Sequence, residues 1–178
     1  MQLYLMRHGH SEYNALGLCN DDPGVPVHLT RKGRAQAEAA AARLREVPLE
    51  AMIASELPRT RETAEIVNRF HGVPIHVHPA LNDIRTGFDG RPVAEYFAAT
   101  RPDRLRIRPP GGESVLDYRE RVLGFVDWLA QQPWQVLLVV AHEETLRILN
   151  AHFTGLPEDR LLDQDFANCE ILRFRLEP

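Results

Sequence analysis

Three short apolar runs in this chain each deliver an arginine or a histidine at or just beyond their ends. Leu3-Tyr4-Leu5-Met6 leads into Arg7-His8-Gly9, with a glycine placed for a sharp turn, and Val136 to Ala141 leads into His142. Ala51-Met52-Ile53-Ala54 ends at Ser55, from which a short loop reaches Pro58-Arg59-Thr60. Runs of this length read as buried strands. In a parallel sheet all three ends lie along one edge, where open α/β sheets place their ligands, so Arg7, His8, Arg59 and His142 are expected to converge. A guanidinium fork holds phosphoryl oxygens, and a neutral imidazole can attack phosphorus. One strand-end histidine is an ordinary structural residue. Two of them, with two arginines at equivalent topological positions, point to phosphoryl chemistry.

The segments between these runs supply the elements that would position them. Thr30 reads as a helix N-cap, and the helix it opens runs to about Arg45 through an alanine-rich stretch of high propensity. Pro58 suits the first turn of a helix continuing towards Phe70, and Pro74 to Val77 reads as a third strand at an edge. Glycines and prolines break up the stretch from Asp83 to Gly112, with a short helix around Val93 to Thr100. Leu116, Val122, Phe125, Val126 and Leu129 recur at helical spacing. A helix over Glu144 to Phe153 and an edge strand over Glu170 to Arg175 complete the reading. Strands alternating with helices predict an α/β three-layer sandwich, a mostly parallel sheet with helices on both faces. Residues 1–178 are expected to form one domain, with a short cap segment around 83–112.

Composition narrows the function classes. A net charge of -4 gives no general attraction to nucleic acid or acidic membranes, and no run approaches membrane-spanning length. Cys19 and Cys169 are too few for a disulfide framework and lack metal-ligand spacing, and the N-terminus lacks the charged start of a signal peptide. A cytoplasmic protein without nucleic-acid or membrane partners is expected, and a homodimer is as compatible with the sequence as a monomer. The pairs His8/His10 and His76/His78 would admit a metal, but no acidic or cysteine cluster accompanies them. No metal and no cofactor are expected, and His76 and His78 are expected to be exposed on an edge strand.

Six blocks in order resemble the histidine phosphatase superfamily, the phosphoglycerate-mutase-like fold. They are Leu5 to Asn14 with Arg7-His8-Gly9; Leu29-Thr30 with Gly33 and Gln36-Ala37; Ser55 to Thr60 with Thr63-Ala64; Leu81-Asn82-Asp83 with Gly87 and Gly90; Pro110 to Ser114; and Val139 to His142. The resemblance implies a histidine acid phosphatase-like phosphomonoesterase acting on a small phosphorylated substrate through a phosphohistidine on His8. Arg7, Arg59 and a cationic His142 would hold the phosphoryl group, Asn14 and Ser11 would add neutral donors, and no metal would be required.

Two residues depart from the family pattern. Asp83 stands where the family's general acid is usually glutamate; with an ordinary pKa near 3.9 it would support activity mainly at acidic pH or with good leaving groups, unless raised. Glu143 follows His142 where small residues are common, either as a helix-dipole partner or as a contact to the substrate. The shortness of the chain between the acidic loop and the Gly-Gly-Glu-Ser segment favours hydrolysis over mutase-type phosphoryl transfer. A catalytically weak phosphate-binding module is the non-enzymatic alternative. Tyr96 and the arginines Arg85, Arg91, Arg101, Arg104, Arg106 and Arg108 fall in the cap segment, either to read a second anionic group or to form a solvated face.

Overall fold

The computed structural model describes residues 1–176. Five strands, β1 (Gln2–Arg7), β2 (Ala51–Ala54), β3 (Ile75–Val77), β4 (Val136–Ala141) and β5 (Ile171–Arg175), form one sheet in the order β3-β2-β4-β1-β5. All neighbours are parallel except β5, which runs antiparallel along β1 at the edge. Six helices accompany them: α1 (Glu12–Leu16), α2 (Arg31–Leu44), α3 (Pro58–Asn68), α4 (Val93–Thr100), α5 (Val115–Leu129) and α6 (Glu143–Thr154).

The side-chain alternation of the central strands explains the layers. Leu3, Leu5, Leu137 and Val139 point to one face and pack with Phe125 and Leu129 of α5 and with Leu146 and Leu149 of α6. Met6, Leu138 and Val140 point to the other and meet Ala37 and Ala41 of α2 and Ala64 and Val67 of α3. Successive residues of a strand face opposite sides, so a strand covered on both faces is apolar throughout. The expected three-layer sandwich is the observed architecture.

Register carries this arrangement to the functional edge. Arg7 pairs with Ala141 and Ala54 with Val140, so β1, β4 and β2 end level with one another. The His8 amide donates to the Ala141 carbonyl at 2.9 Å, locking the two strand ends side by side. Thr30 caps α2 by accepting from the Gly33 amide, and Pro58 opens α3, as the sequence predicts.

Gly9 serves a different purpose from the turn expected of it. Its backbone is not left-handed; instead a Cβ there would run into the Gly33 carbonyl, and a Cβ on Gly33 would run into the His10 carbonyl. The first turn of α2 therefore lies directly on the His8–His10 segment. Gly33→Ala forces these backbones apart, at an expected cost of roughly 1–3 kcal/mol. Thermal unfolding combined with kinetics checks it: the variant should lose stability and turnover together, because the displaced segment carries His8.

Two details differ from the sequence reading. The turn-rich region after Asn14 begins inside a five-residue helix, α1, opened by a reciprocal capping box between Ser11 and Asn14. His78 lies just beyond β3 and is half-buried, its ring 4.6 Å from that of Trp128, because it caps a short 3-10 turn over Pro79–Leu81. His76 is exposed on β3.

Candidate active site

His8 is 3% exposed and follows β1 directly. Its Nδ1 lies 2.7 Å from the Gly9 carbonyl, and its Nε2 lies 3.1 Å from Arg59 Nε. A carbonyl can only accept and a guanidinium can only donate, so the proton sits on Nδ1 and Nε2 keeps its lone pair. Burial, followed by the Arg59 charge, presses the His8 pKa well below the ordinary imidazole value. A neutral imidazole whose unprotonated nitrogen is held in a fixed direction is the form a nucleophile requires.

Arg59 is the hub. It is the second residue of α3, 3% exposed, and besides His8 it bonds Asn20, Asp83 and His142. Its Nη2 lies 3.0 Å from the Asn20 carbonyl, from Asp83 Oδ2 and from His142 Nδ1, while Nη1 donates to Asn20 Oδ1. His142, the N-cap of α6, places its ring 5.3 Å from that of His8. Its Nε2 lies 2.9 Å from Ser55 Oγ, which lies 2.7 Å from Thr60 Oγ1; Thr60 in turn donates to the Leu57 carbonyl at 2.8 Å. That chain orients the second imidazole from behind. Burial and the Arg59 charge hold His142 well below the ordinary imidazole value. The imidazolium expected at this position therefore depends on a dianion at Nδ1 to reverse that balance.

Asp83 reaches the same point from the loop after β3. Its Oδ2 lies 3.0 Å from Arg59 Nη2 and 3.4 Å from His142 Nδ1, and its Oδ1 accepts from the Ile84 amide at 2.9 Å. Burial raises its pKa above the usual aspartate value, against the pull of Arg59. Arg7 approaches from β1, with Nη1 on the Phe166 carbonyl at 2.5 Å and on Glu143 Oε2 at 2.8 Å. Both oxygens of Glu143 are occupied, the second by Arg147 at 2.9 Å.

A cavity of about 170 Å³ opens over these groups and is lined by Arg7, His8, Ser11, Asn14, Arg59, Asp83 and Glu143. Ser11 Oγ accepts from the Asn14 amide, which leaves its hydroxyl proton free to donate. Asn20, Tyr96 and Glu144 also line the cavity. Asn20 and Glu144 carried no site role in the sequence reading. Asn20 lies in a turn-rich loop that only tertiary contacts pull inward: Asp89 Oδ1 accepts from the Asp21 amide at 2.7 Å, and Asp21 Oδ2 accepts from the Thr86 amide at 2.8 Å. A larger groove of about 470 Å³ at the opposite end of the sheet, between Met1, Gln135 and Arg173, gathers no histidine or carboxylate among the described residues. Among the described residues, no three His, Cys, Asp or Glu side chains stand as a metal-ligand set.

Two buried imidazoles, a shared arginine and a second arginine meet at one sheet edge, an arrangement suited to an oxyanion. Comparison with known proteins places the sequence and the fold. The chain is 35% identical over 166 residues to the adenosylcobalamin/alpha-ribazole phosphatase of Salmonella typhimurium, covering 88% of this chain and 81% of that protein. It is 31% identical over 182 residues to the Escherichia fergusonii protein named "Probable phosphoglycerate mutase GpmB", covering 97% of this chain and 84% of that one. The crystal structure of the alpha-ribazole phosphatase from Shigella flexneri superposes with a TM-score of 0.90 at 26% identity, over 99% of this chain and 91% of that chain. The family model of the histidine phosphatase superfamily, branch 1, matches residues 3–178. On that match, and on the fold that carries it, the chain belongs to the histidine phosphatase superfamily.

Proposed function

We propose that this chain is a metal-independent phosphomonoester hydrolase that works through a phosphohistidine on His8. One observation carries the reading: Arg59 bonds the lone-pair nitrogen of His8 and Nδ1 of His142 at once, so nucleophile and cradle are a single unit. His8 Nε2 attacks phosphorus, the P–O bond to the leaving alcohol breaks, and Asp83 gives that alcohol its proton. Water, deprotonated by the Asp83 carboxylate, then opens the N–P bond and releases phosphate. Arg7, Arg59, His142, Ser11 and Asn14 hold the equatorial oxygens, where the charge of the transition state is spread.

The molecule is read as one histidine-phosphatase-like domain whose segment 83–112 caps the cavity. Within that cap Arg85 pairs with Glu113, Arg91 with Glu95, Arg106 with Asp103 and Glu158, and Arg108 with Asp117. With these four committed, Arg101 and Arg104 are left without a carboxylate partner among the described residues, Arg104 lying over the cavity-lining Phe97. So few available cations favour hydrolysis over a mutase reaction, which must grip a second anionic group. The substrate is a small phosphorylated molecule. Both cysteines are free, which supports a cytoplasmic setting, and among the described residues no helix is long and apolar enough to cross a membrane.

A phosphomonoester panel assayed with a chelator present tests the reading, and turnover that collapses until metal is restored would refute it. Ligand linkage gives a second check. Orthophosphate at a hundred times its Kd should stabilise the folded chain by about 2.7 kcal/mol. That shift in thermal unfolding should vanish in Arg59→Ala.

A further inference from the structure

Arg7 is bound asymmetrically. Its Nη1 is committed to the Phe166 carbonyl and Glu143 Oε2. The opposite edge is uncommitted: Nε is buried without a partner, and among the described residues Nη2 bonds no protein atom. The Nε/Nη2 edge of a guanidinium is a parallel fork that takes two oxygens of a phosphate, and a buried donor without a partner is costly until an acceptor arrives.

The committed side traces back to a residue outside the cradle. Glu143 Oε1 lies 2.9 Å from Arg147 Nη2, one turn further along α6. Arg147 is only 9% exposed and is held on every nitrogen: Nε donates to the Gln164 carbonyl at 2.6 Å, Nη1 to Glu144 Oε1 at 2.6 Å, and Nη2 to Asp165 Oδ1 at 3.2 Å. Gln164 answers by donating to the Arg147 carbonyl at 3.0 Å. The same loop supplies Phe166 to Arg7, and Asn168 Nδ2 to the His8 carbonyl at 3.0 Å. One brace thus runs from the 164–168 loop through Arg147 and Glu143 to Arg7.

We propose that Arg147 is a positioning residue for phosphate binding, acting through Glu143 to hold the Nε/Nη2 edge of Arg7 open to the phosphoryl oxygens. This rests on the reading of the cavity as a phosphoryl site. The physical reason is competition between anions. With Arg147 in place, both carboxylate oxygens of Glu143 are fixed and its charge is shared between two arginines. Without it, an unrestrained carboxylate beside Arg7 is free to rotate onto the open fork, the edge a phosphate needs.

Inorganic phosphate binding measured by titration calorimetry separates this role from a merely structural one, because it needs no turnover. R147A should raise the phosphate Kd about tenfold. In an E143Q background, where the competing charge is gone, the same change should move Kd less than about threefold, since residues that act through each other are non-additive. Should R147A fail to fold, R147Q, which keeps a hydrogen-bonding side chain without the charge, takes its place with the same expectation. An unchanged Kd, or an equal loss in both backgrounds, overturns the relay while leaving the phosphatase reading intact. A wild-type chain that binds no phosphate overturns both.

Discussion

Replacing His8 with alanine should lower kcat/KM on every phosphomonoester by at least about a thousandfold, because the step that splits the reaction in two is lost with the nucleophile. The loss follows from geometry rather than stability. His8 caps the end of β1 with its backbone amide on Ala141, a bond that alanine keeps. What disappears is the lone pair that Arg59 Nε fixes in direction. Circular dichroism and thermal unfolding should show a folded protein, and phosphate should still bind to Arg7, Arg59 and His142. Residual activity within tenfold of the wild type would remove His8 from the mechanism.

Asp83→Asn should produce a loss that depends on the leaving group. General acid catalysis contributes about 10²–10⁴ in rate, so an alkyl phosphate should suffer on that scale. In kcat/KM, which reports only the phosphorylation step, an aryl phosphate with an acidic phenol leaves without a proton and should lose less than about tenfold. By contrast, kcat falls on both, because Asp83 also activates the water. The pH profile follows from the directions of the two shifts. His8 must be neutral to attack, and its pKa lies well below the usual imidazole value, so activity falls only when pH drops through that lowered value. Asp83 must be protonated to donate, and its pKa is raised by burial, so activity on alkyl esters falls as pH climbs through that raised value. An incoming dianion beside the carboxyl raises it further. The wild-type profile on alkyl esters should be a bell bounded below by the lowered His8 value and above by the raised Asp83 value, and Asp83→Asn should lose its alkaline limb. Equal losses in kcat/KM on alkyl and aryl esters would assign the leaving group's proton to another group.

Much of this was legible because the decisive signals are local. Leu3 to Met6 and Val136 to Ala141 are apolar on every residue, which only a strand covered on both faces tolerates, and both are strands at those positions. Thr30 and Pro58 mark helix starts through local chemistry that acts within a turn. Asn14 shows where local reading fell short. It was read for its amide toward phosphate, while the Ser-x-x-Asn spacing that makes it the third residue of a capping box went unused, so α1 was missed.

The residues that went unread are those whose position depends on distant packing. Asn20 enters the cavity because Asp89, 68 residues beyond Asp21, captures the backbone of its loop. Arg147 looks like any helical arginine until the 164–168 loop folds across it. Glu143 was considered against the substrate or the helix dipole; pairing with Arg7 depends on bringing β1 beside α6, which no local pattern encodes, whereas the i,i+4 spacing to Arg147 is local. Gly9 was identified as a needed glycine, but its reason is the approach of α2 and not the conformation of its own turn.

The covalent intermediate is the central claim, and single-turnover trapping tests it most directly. Enzyme mixed with a phosphomonoester labelled in its phosphoryl group, then quenched in alkali after milliseconds, should carry the label on a peptide containing His8. That label should be stable to base, labile to acid, and absent from His8→Ala. Label passing to water with no protein-bound species, from an enzyme that shows burst release of the alcohol, would contradict the phosphohistidine route.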